Sequence, residues 1–238
     1  MSYNRHGTSL KELFSSSASA SCDEYSSSTT TPEDRKWQRH SVHVLFLQPV
    51  LHDPQEHFLN RLTSYVGEKI HKKGFHHVEI VVPDVDSDSG VNKGGFLSSS
   101  IYNGETVTLT KTKTFANPAY TILTFSVSGL ELSNILDYLH ESKRLQLSFD
   151  QTGMFLAALP LQLGWRNSRT TFCSKHVTRA LKAAKLDAVM GLNENIVTPS
   201  KLYKVLHDNI PADRKVAGSV QYKESCMLNS SSAVFSIF

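Results

Sequence analysis

Cys173 is the residue of this chain whose type and position best fit covalent catalysis. Apolar residues recur after it at helical spacing, at Val177, Ala180 and Leu181, and predict an amphipathic helix reaching about residue 185. Thr171 is the expected N-cap, which places Cys173 in the first turn. Backbone N–H groups and the helix dipole favour negative charge there, and the thiolate is the nucleophilic form of cysteine. The alternative is that Cys173 is a small buried core residue.

A nucleophilic thiol needs a base, and His76 and His77 are the best-placed histidines because they begin a predicted strand over residues 75–82. Side chains alternate along a strand, so only one of the two faces the helix, and the residues alone do not choose between them. His176, three residues after Cys173 on the same helix, is a weaker candidate because its imidazole would have to reach back.

Two alternatives are open for the group that orients the imidazole. Glu79 shares a strand face with His77, but a separation of about 7 Å along the strand is far for a direct hydrogen bond. Glu79 would then line the floor of the site. A polar residue on the neighbouring strand, Thr106 or Thr108, is the other option.

The elements that must position these residues are a mixture of strands and helices. Strands are predicted over residues 42–47, 75–82, 105–110 and 120–127, and a further strand over 214–224. Helices are predicted from Asp53-Pro54 to Gly74, over 130–142, 152–163 and 173–185, and from Thr198-Pro199 onwards. Residues 84–95, which include Gly94-Gly95, are predicted to form an exposed loop. The mixture predicts an α+β fold.

Composition divides the 238 residues into three parts. Residues 1–40 are rich in Ser and Thr and predict a disordered tail. Residues 41–225 form the predicted folded domain, and residues 226–238 a C-terminal tail or edge strand. A net charge of +3 provides no strong electrostatic argument for a nucleic-acid partner. The chain shows neither a secretion signal nor an apolar run of membrane-spanning length.

The three cysteines, Cys22, Cys173 and Cys226, are too few and too scattered for a disulfide framework. They fit a reducing, cytoplasmic compartment. There is no Cys-x-x-Cys pair, and the 11 histidines show no metal-ligand spacing, so no metal site is predicted.

Three segments in this order resemble a known group of families. They are the His-Val-Glu-Ile strand at residues 77–80, the Phe-Cys-Ser helix start at 172–174 and the Thr-Pro-Ser helix start at 198–200. The pattern is similar to the circularly permuted NlpC/P60-like papain-fold families, which include YiiX-like hydrolases and lecithin:retinol acyltransferase-like enzymes. In that group the histidine strand precedes the cysteine, as it does here. The resemblance covers about residues 42–208, including Asp150-x-x-Gly153 upstream of the cysteine.

The resemblance implies a papain-like, circularly permuted fold with an antiparallel sheet packed on the nucleophile helix. It puts the nucleophile at Cys173 and the base at His77, which begins a His-x-Glu pattern with Glu79. These three are the predicted catalytic residues of a cysteine hydrolase that cleaves a peptide, amide or acyl ester through a thioester, without cofactor or metal. Many relatives carry an acid two positions after the cysteine, where this chain has Lys175.

Two alternatives stand beside the hydrolase. One is a lipid acyltransferase or thioesterase of the lecithin:retinol acyltransferase-like type, although many of those enzymes carry a membrane anchor or apolar extension not seen here. The other is a non-catalytic papain-fold module used for binding, which Lys175 leaves open.

Overall fold

The computed structural model describes residues 8–9, 38–48, 74–85, 92–102, 104–111, 114–115, 120–158 and 169–216. In chain order the strands of these residues are β1 (Thr8–Ser9), β2 (Arg39–Leu47), β3 (His77–Val85), β4 (Asn92–Ser100), β5 (Thr108–Thr110), β6 (Thr114–Phe115), β7 (Tyr120–Ser128), β8 (Ser148–Phe149) and β9 (Thr170–Thr171). The helices are α1 (Gly129–Arg144), α2 (Gln151–Ala158), α3 (Cys173–Ala183), α4 (Asp187–Met190) and α5 (Pro199–Asn209), with a 3-10 helix (Glu194–Ile196) before α5. The predicted α+β class is confirmed.

Five strands form an antiparallel sheet in the order β5-β4-β3-β2-β7. The central strand β3 pairs with β2 through a register that sets His77 opposite Leu47 and Glu79 opposite Leu45. On its other side β3 pairs with β4, with an irregularity between Pro83 and Val85. The strand that carries the predicted base is therefore held from both sides.

The main core lies between one face of this sheet and the helices. Val78, Ile80 and Val82 of β3 point into it, and α3 packs against both β3 and α1. The other face carries a smaller apolar cluster of Leu45, Val81 and Ile122. Since side chains alternate along β3, His77 and Glu79 belong to the face of Val81.

The helices that frame the site begin where local rules place them. Ser128 and Glu131 form a capping box at the start of α1, each side chain bonding the backbone of the other. Thr198 caps α5 by accepting from the N–H of Lys201, and Pro199 occupies the first turn, as predicted from the sequence.

Several predicted boundaries differ from the structure. The predicted loop over residues 84–95 contains the start of β4, so Gly94-Gly95 is part of a strand, and β3 continues through Pro83 to Val85. Val81 is the last residue of β3 that pairs with β2, and Pro83 lies beyond it. The missing N–H of Pro83 therefore interrupts no bond between these two strands.

Other predictions fall wholly or partly on residues that are not described. These are the helix over 53–74 apart from Gly74, the end of the helix over 152–163, the strand over 214–224 beyond residue 216, and the tail at 226–238. Most of the predicted N-terminal tail is also outside the described residues. Its boundary at residue 40 falls within β2, and Thr8–Ser9 pairs with Thr114–Phe115.

Candidate active site

Cys173 is the first residue of α3. The preceding Phe172 is the N-cap and has extended backbone angles, with no side-chain capping bond, whereas Thr171 lies in β9. The prediction that Thr171 caps this helix is therefore wrong. The pairing of β9 with β8 holds Thr171 in a strand, and the cap is the next residue, Phe172. Cys173 nevertheless lies where first-turn N–H groups and the helix dipole favour negative charge.

His77, the first residue of β3, lies near the start of α3, where its imidazole interacts with the side chain of Cys173. Burial opposes protonation of this imidazole. The interactions with Cys173 and Glu79 outweigh burial and raise the pKa of His77 to about 9. The structure therefore brings the predicted nucleophile and base into contact.

Glu79 lies directly against His77, with Oε1 3.2 Å from Nε2. The prediction that the two are too far apart for a direct bond is wrong, because the side chains span the distance between their backbone positions. Glu79 is 0% exposed, and it also accepts hydrogen bonds from Ser98 at 3.2 Å and from the hydroxyl of Tyr102. A buried carboxylate is stable only when it is bonded in this way.

The other candidates from the sequence do not reach His77 in this arrangement. The hydroxyl of Thr108 bonds the backbone oxygen and the hydroxyl of Ser100, and Thr106 is exposed and forms an isolated bridge with Ser148. Neither is seen bonding the imidazole. Glu79 is therefore the acidic partner of His77 in the described part of the chain.

His76 and His176 are buried in other surroundings. Burial, and secondarily the charge on His77, lowers the pKa of His76 to about 3. His176 lies between β4 and α1, with Nε2 2.9 Å from the hydroxyl of Ser99 and Nδ1 3.3 Å from that of Tyr138. Burial lowers its pKa to about 3 as well, so it is a neutral bridge that ties α3 to its neighbours.

Asp150 and Gly153 hold the segment that leads into the site. The carboxylate of Asp150 accepts from the N–H of Gly153 at 2.8 Å and from the hydroxyl of Thr170 at 2.9 Å. A Cβ on Gly153 would lie 2.5 Å from this carboxylate, so any other residue there would have to displace it. The Asp-x-x-Gly pattern thus joins the start of α2 to β9, three residues before Cys173.

Lys175, two residues after Cys173, is completely buried. Its ammonium group lies 5.9 Å from the centroid of the Phe172 ring, within reach of a cation–π interaction. Burial lowers the pKa of Lys175, and the charge of Arg179 lowers it further, whereas Asp150 and Glu194 act in the opposite direction. Lys175 therefore belongs to the packing around α3.

Tyr102 and Ser98 are the members of this cluster that the sequence did not indicate. Both come from the β4 side of the sheet, and their approach to Glu79 depends on the pairing of β4 with β3. The Asn103-Gly104 pair marks a turn after Tyr102 but carries no information about which side chain the tyrosine contacts.

No protein-family model, no curated protein and no solved structure matches this chain. The resemblance to permuted papain-like families therefore stays a prediction. None of the helices in the described ranges combines the length and apolar character needed to cross a bilayer. Those same ranges contain no cluster of three or more His, Cys, Asp or Glu side chains suited to a metal ion.

Proposed function

We propose that this chain is a cysteine-dependent hydrolase with a permuted papain-like fold, which cleaves a peptide, amide or acyl ester through a thioester intermediate. The observation that carries the proposal is the buried cluster in which His77 lies 3.2 Å from Glu79 and interacts with Cys173 at the start of α3. Nucleophile, base and orienting carboxylate in contact, at a helix start and a strand start, form the arrangement that thiol catalysis needs.

The proposed reaction begins with the shared proton on His77 and negative charge on Cys173. Because Nε2 is directed to Glu79, Nδ1 is the nitrogen left to exchange a proton with the sulfur in this reaction. The sulfur attacks the acyl carbon and forms an S–C bond, and the carbonyl electron pair moves to oxygen. The backbone N–H of Cys173 supports that oxyanion.

Collapse of this intermediate breaks the bond to the leaving nitrogen or oxygen, which takes the proton from His77. The thioester and a neutral imidazole are left. His77 then removes a proton from water, whose oxygen attacks the thioester carbon. The acid leaves, and sulfur and imidazole return to their starting charges.

An acyltransferase or thioesterase acting on apolar acyl groups is the second candidate. It is favoured by α2, an apolar helix whose Phe155 is 39% exposed and whose first turn is tied to β9 through Asp150 and Gly153. Comparing p-nitrophenyl acetate with p-nitrophenyl octanoate distinguishes the two. A preference for octanoate of tenfold or more in kcat/KM, together with acyl transfer to an added alcohol, supports the transferase.

The test is alkylation of Cys173 by iodoacetamide in a background with Cys22→Ser and Cys226→Ser, so that one thiol remains. We expect His77→Asn to slow alkylation by about 100-fold or more, because it removes the proton acceptor. His76→Asn is the matched control, since it removes the adjacent buried histidine and is expected to change the rate by less than about threefold. Equal rates in wild type and His77→Asn would refute the proposal in favour of a non-catalytic module.

A further inference from the structure

Tyr102 contacts both His77 and Glu79. Its ring is stacked on the imidazole of His77, with centroids 4.3 Å apart and planes inclined by 19°. Its hydroxyl donates to the same Glu79 oxygen, Oε1, that faces His77 Nε2. One side chain therefore touches the predicted base and the carboxylate that orients it.

The position of Tyr102 is fixed by a turn immediately after β4. The N–H of Glu105 donates to the carbonyl oxygen of Tyr102 at 3.1 Å, and Gly104 has a φ of 80° at the third position of the turn. This left-handed conformation favours glycine. Ile101, just before it, is completely buried in the main core. Tyr102 is thus held between the buried side chain of Ile101 and the hydrogen bond of the turn that follows.

The hydroxyl of Tyr102 is a permanent donor. Burial, followed by the charge of Glu79, raises the pKa of this phenol above its usual range, so the proton stays on its oxygen. A neutral donor bonded to a buried carboxylate favours the charged carboxylate. The aromatic face favours the protonated imidazole, because a ring attracts a cation placed over it. Both contacts stabilise the charge distribution that the proposed resting state requires.

We propose that Tyr102 is a positioning residue for His77, acting through its stacked ring and through the hydroxyl that holds Glu79. The inference rests on the proposed function. With one imidazole face covered and Nε2 held by Glu79, the ring has one orientation in which its other nitrogen meets Cys173. Ser98 supports the arrangement by holding the second oxygen of Glu79.

The experiment is a pH profile of iodoacetamide alkylation in the single-cysteine background. Tyr102→Phe keeps the ring and removes the hydroxyl, so the Glu79 carboxylate loses a donor and holds the imidazolium less well. We expect its alkylation rate at pH 6 to fall about tenfold, the effect of losing one charge-assisted hydrogen bond, while the rate at pH 9 stays within about twofold. Tyr102→Leu also removes the stacked face and is expected to lower the rate at both pH values.

Tyr138→Phe is the matched control, because it also removes a tyrosine hydroxyl that bonds a buried histidine, His176. It is expected to lower stability and to keep the wild-type pH profile. A Tyr102→Phe profile that overlaps the wild type, or an equal shift in Tyr138→Phe, would overturn the inference and leave the proposed function intact. Equal alkylation rates in wild type and His77→Asn would overturn both the inference on Tyr102 and the proposed function.

Discussion

Ser200 is hydrogen-bonded to the backbone of Phe75, although 125 positions separate them in the chain. Its hydroxyl accepts from the N–H of Phe75 at 3.0 Å and donates to the carbonyl oxygen at 3.4 Å. Phe75 precedes His77 by two residues, and its ring packs against Phe46 and Tyr203. The start of α5 therefore anchors the chain as it enters β3.

We predict that Ser200→Ala lowers the free energy of unfolding by about 1–3 kcal/mol, because the buried N–H of Phe75 loses its partner. Alkylation of Cys173 should slow as well, because His77 is less firmly placed. Urea unfolding and iodoacetamide kinetics check the two effects. Ser148→Ala, at an exposed serine in β8, is the control and should change stability by no more than about 0.5 kcal/mol.

Gly153→Ala should be destabilising by about 1–3 kcal/mol, because the new Cβ would lie 2.5 Å from the Asp150 carboxylate and displace it from Thr170. Thermal or urea unfolding measures the loss. Gly191→Ala provides the comparison, since a Cβ there meets nothing within 4 Å. Its stability should equal or slightly exceed that of the wild type. Similar losses in the two variants would contradict the role given to the Asp150–Gly153 contact.

Three buried histidines should make the fold sensitive to acid. Burial lowers the pKa of His43 to about 4, and burial lowers those of His76 and His176 to about 3 each, with the charge on His77 adding to the effect at His76. The unfolded chain binds these protons below about pH 6.5 and the folded chain does not. Stability is therefore lost as pH falls from about 6.5 towards 3–4, by up to about 1.4 kcal/mol per pH unit for each group.

Urea unfolding at pH 7, 6, 5 and 4 measures this dependence. His176→Gln keeps a polar side chain that cannot titrate, so its stability should fall less steeply over the same range. The contribution of His77 to stability depends on pH in the opposite direction. Its pKa is raised to about 9, so this contribution is present below pH 6.5 and is lost as pH rises through 9. Parallel slopes for wild type and His176→Gln would show that His176 does not contribute to the acid response.

Access to Cys173 should depend on reagent size. Cys173 is 3% exposed and His77 is 6% exposed, so little room surrounds the sulfur in the folded state. In the single-cysteine background we expect a bulky fluorescein maleimide to react at least tenfold more slowly than iodoacetamide, after each rate is divided by that of free cysteine. The ratio should approach one in 8 M urea. A ratio near one in the folded protein would mean that the sulfur is freely reached.

The parts of the site governed by local rules could be predicted from the sequence. Thr198-Pro199 begins a helix because a capping side chain and a proline suit the first turn. Cys173 and the pair His76–His77 are indicated because a helix start and a strand start are readable from spacing, and the family resemblance selects His77 from the pair. The bond between His77 and Glu79 is not predicted by their backbone separation, because the two side chains span that distance.

The remaining contacts depend on which strands become neighbours. Tyr102 and Ser98 reach Glu79 only after β4 pairs with β3, and that register is not encoded in any short segment. The local pattern favours Thr171 as a helix cap, whereas its pairing with Phe149, 22 positions upstream, holds it in a strand. In each case tertiary pairing overrides what the local pattern favours.

The two-residue parallel ladder of β8 and β9 has a consequence for how this chain can vary. Ser148 pairs with Thr170 and Phe149 with Thr171, and the N–H of Asp150 bonds the oxygen of Thr171 at 2.7 Å. The ends of the connection between β8 and β9 are thus adjacent, just before Cys173. Lengthening a flexible connection costs only about 0.6 kcal/mol for each doubling of its length. The pairing of β8 with β9 therefore sets the position of the segment that enters Cys173, whatever the number of residues that connect the two strands.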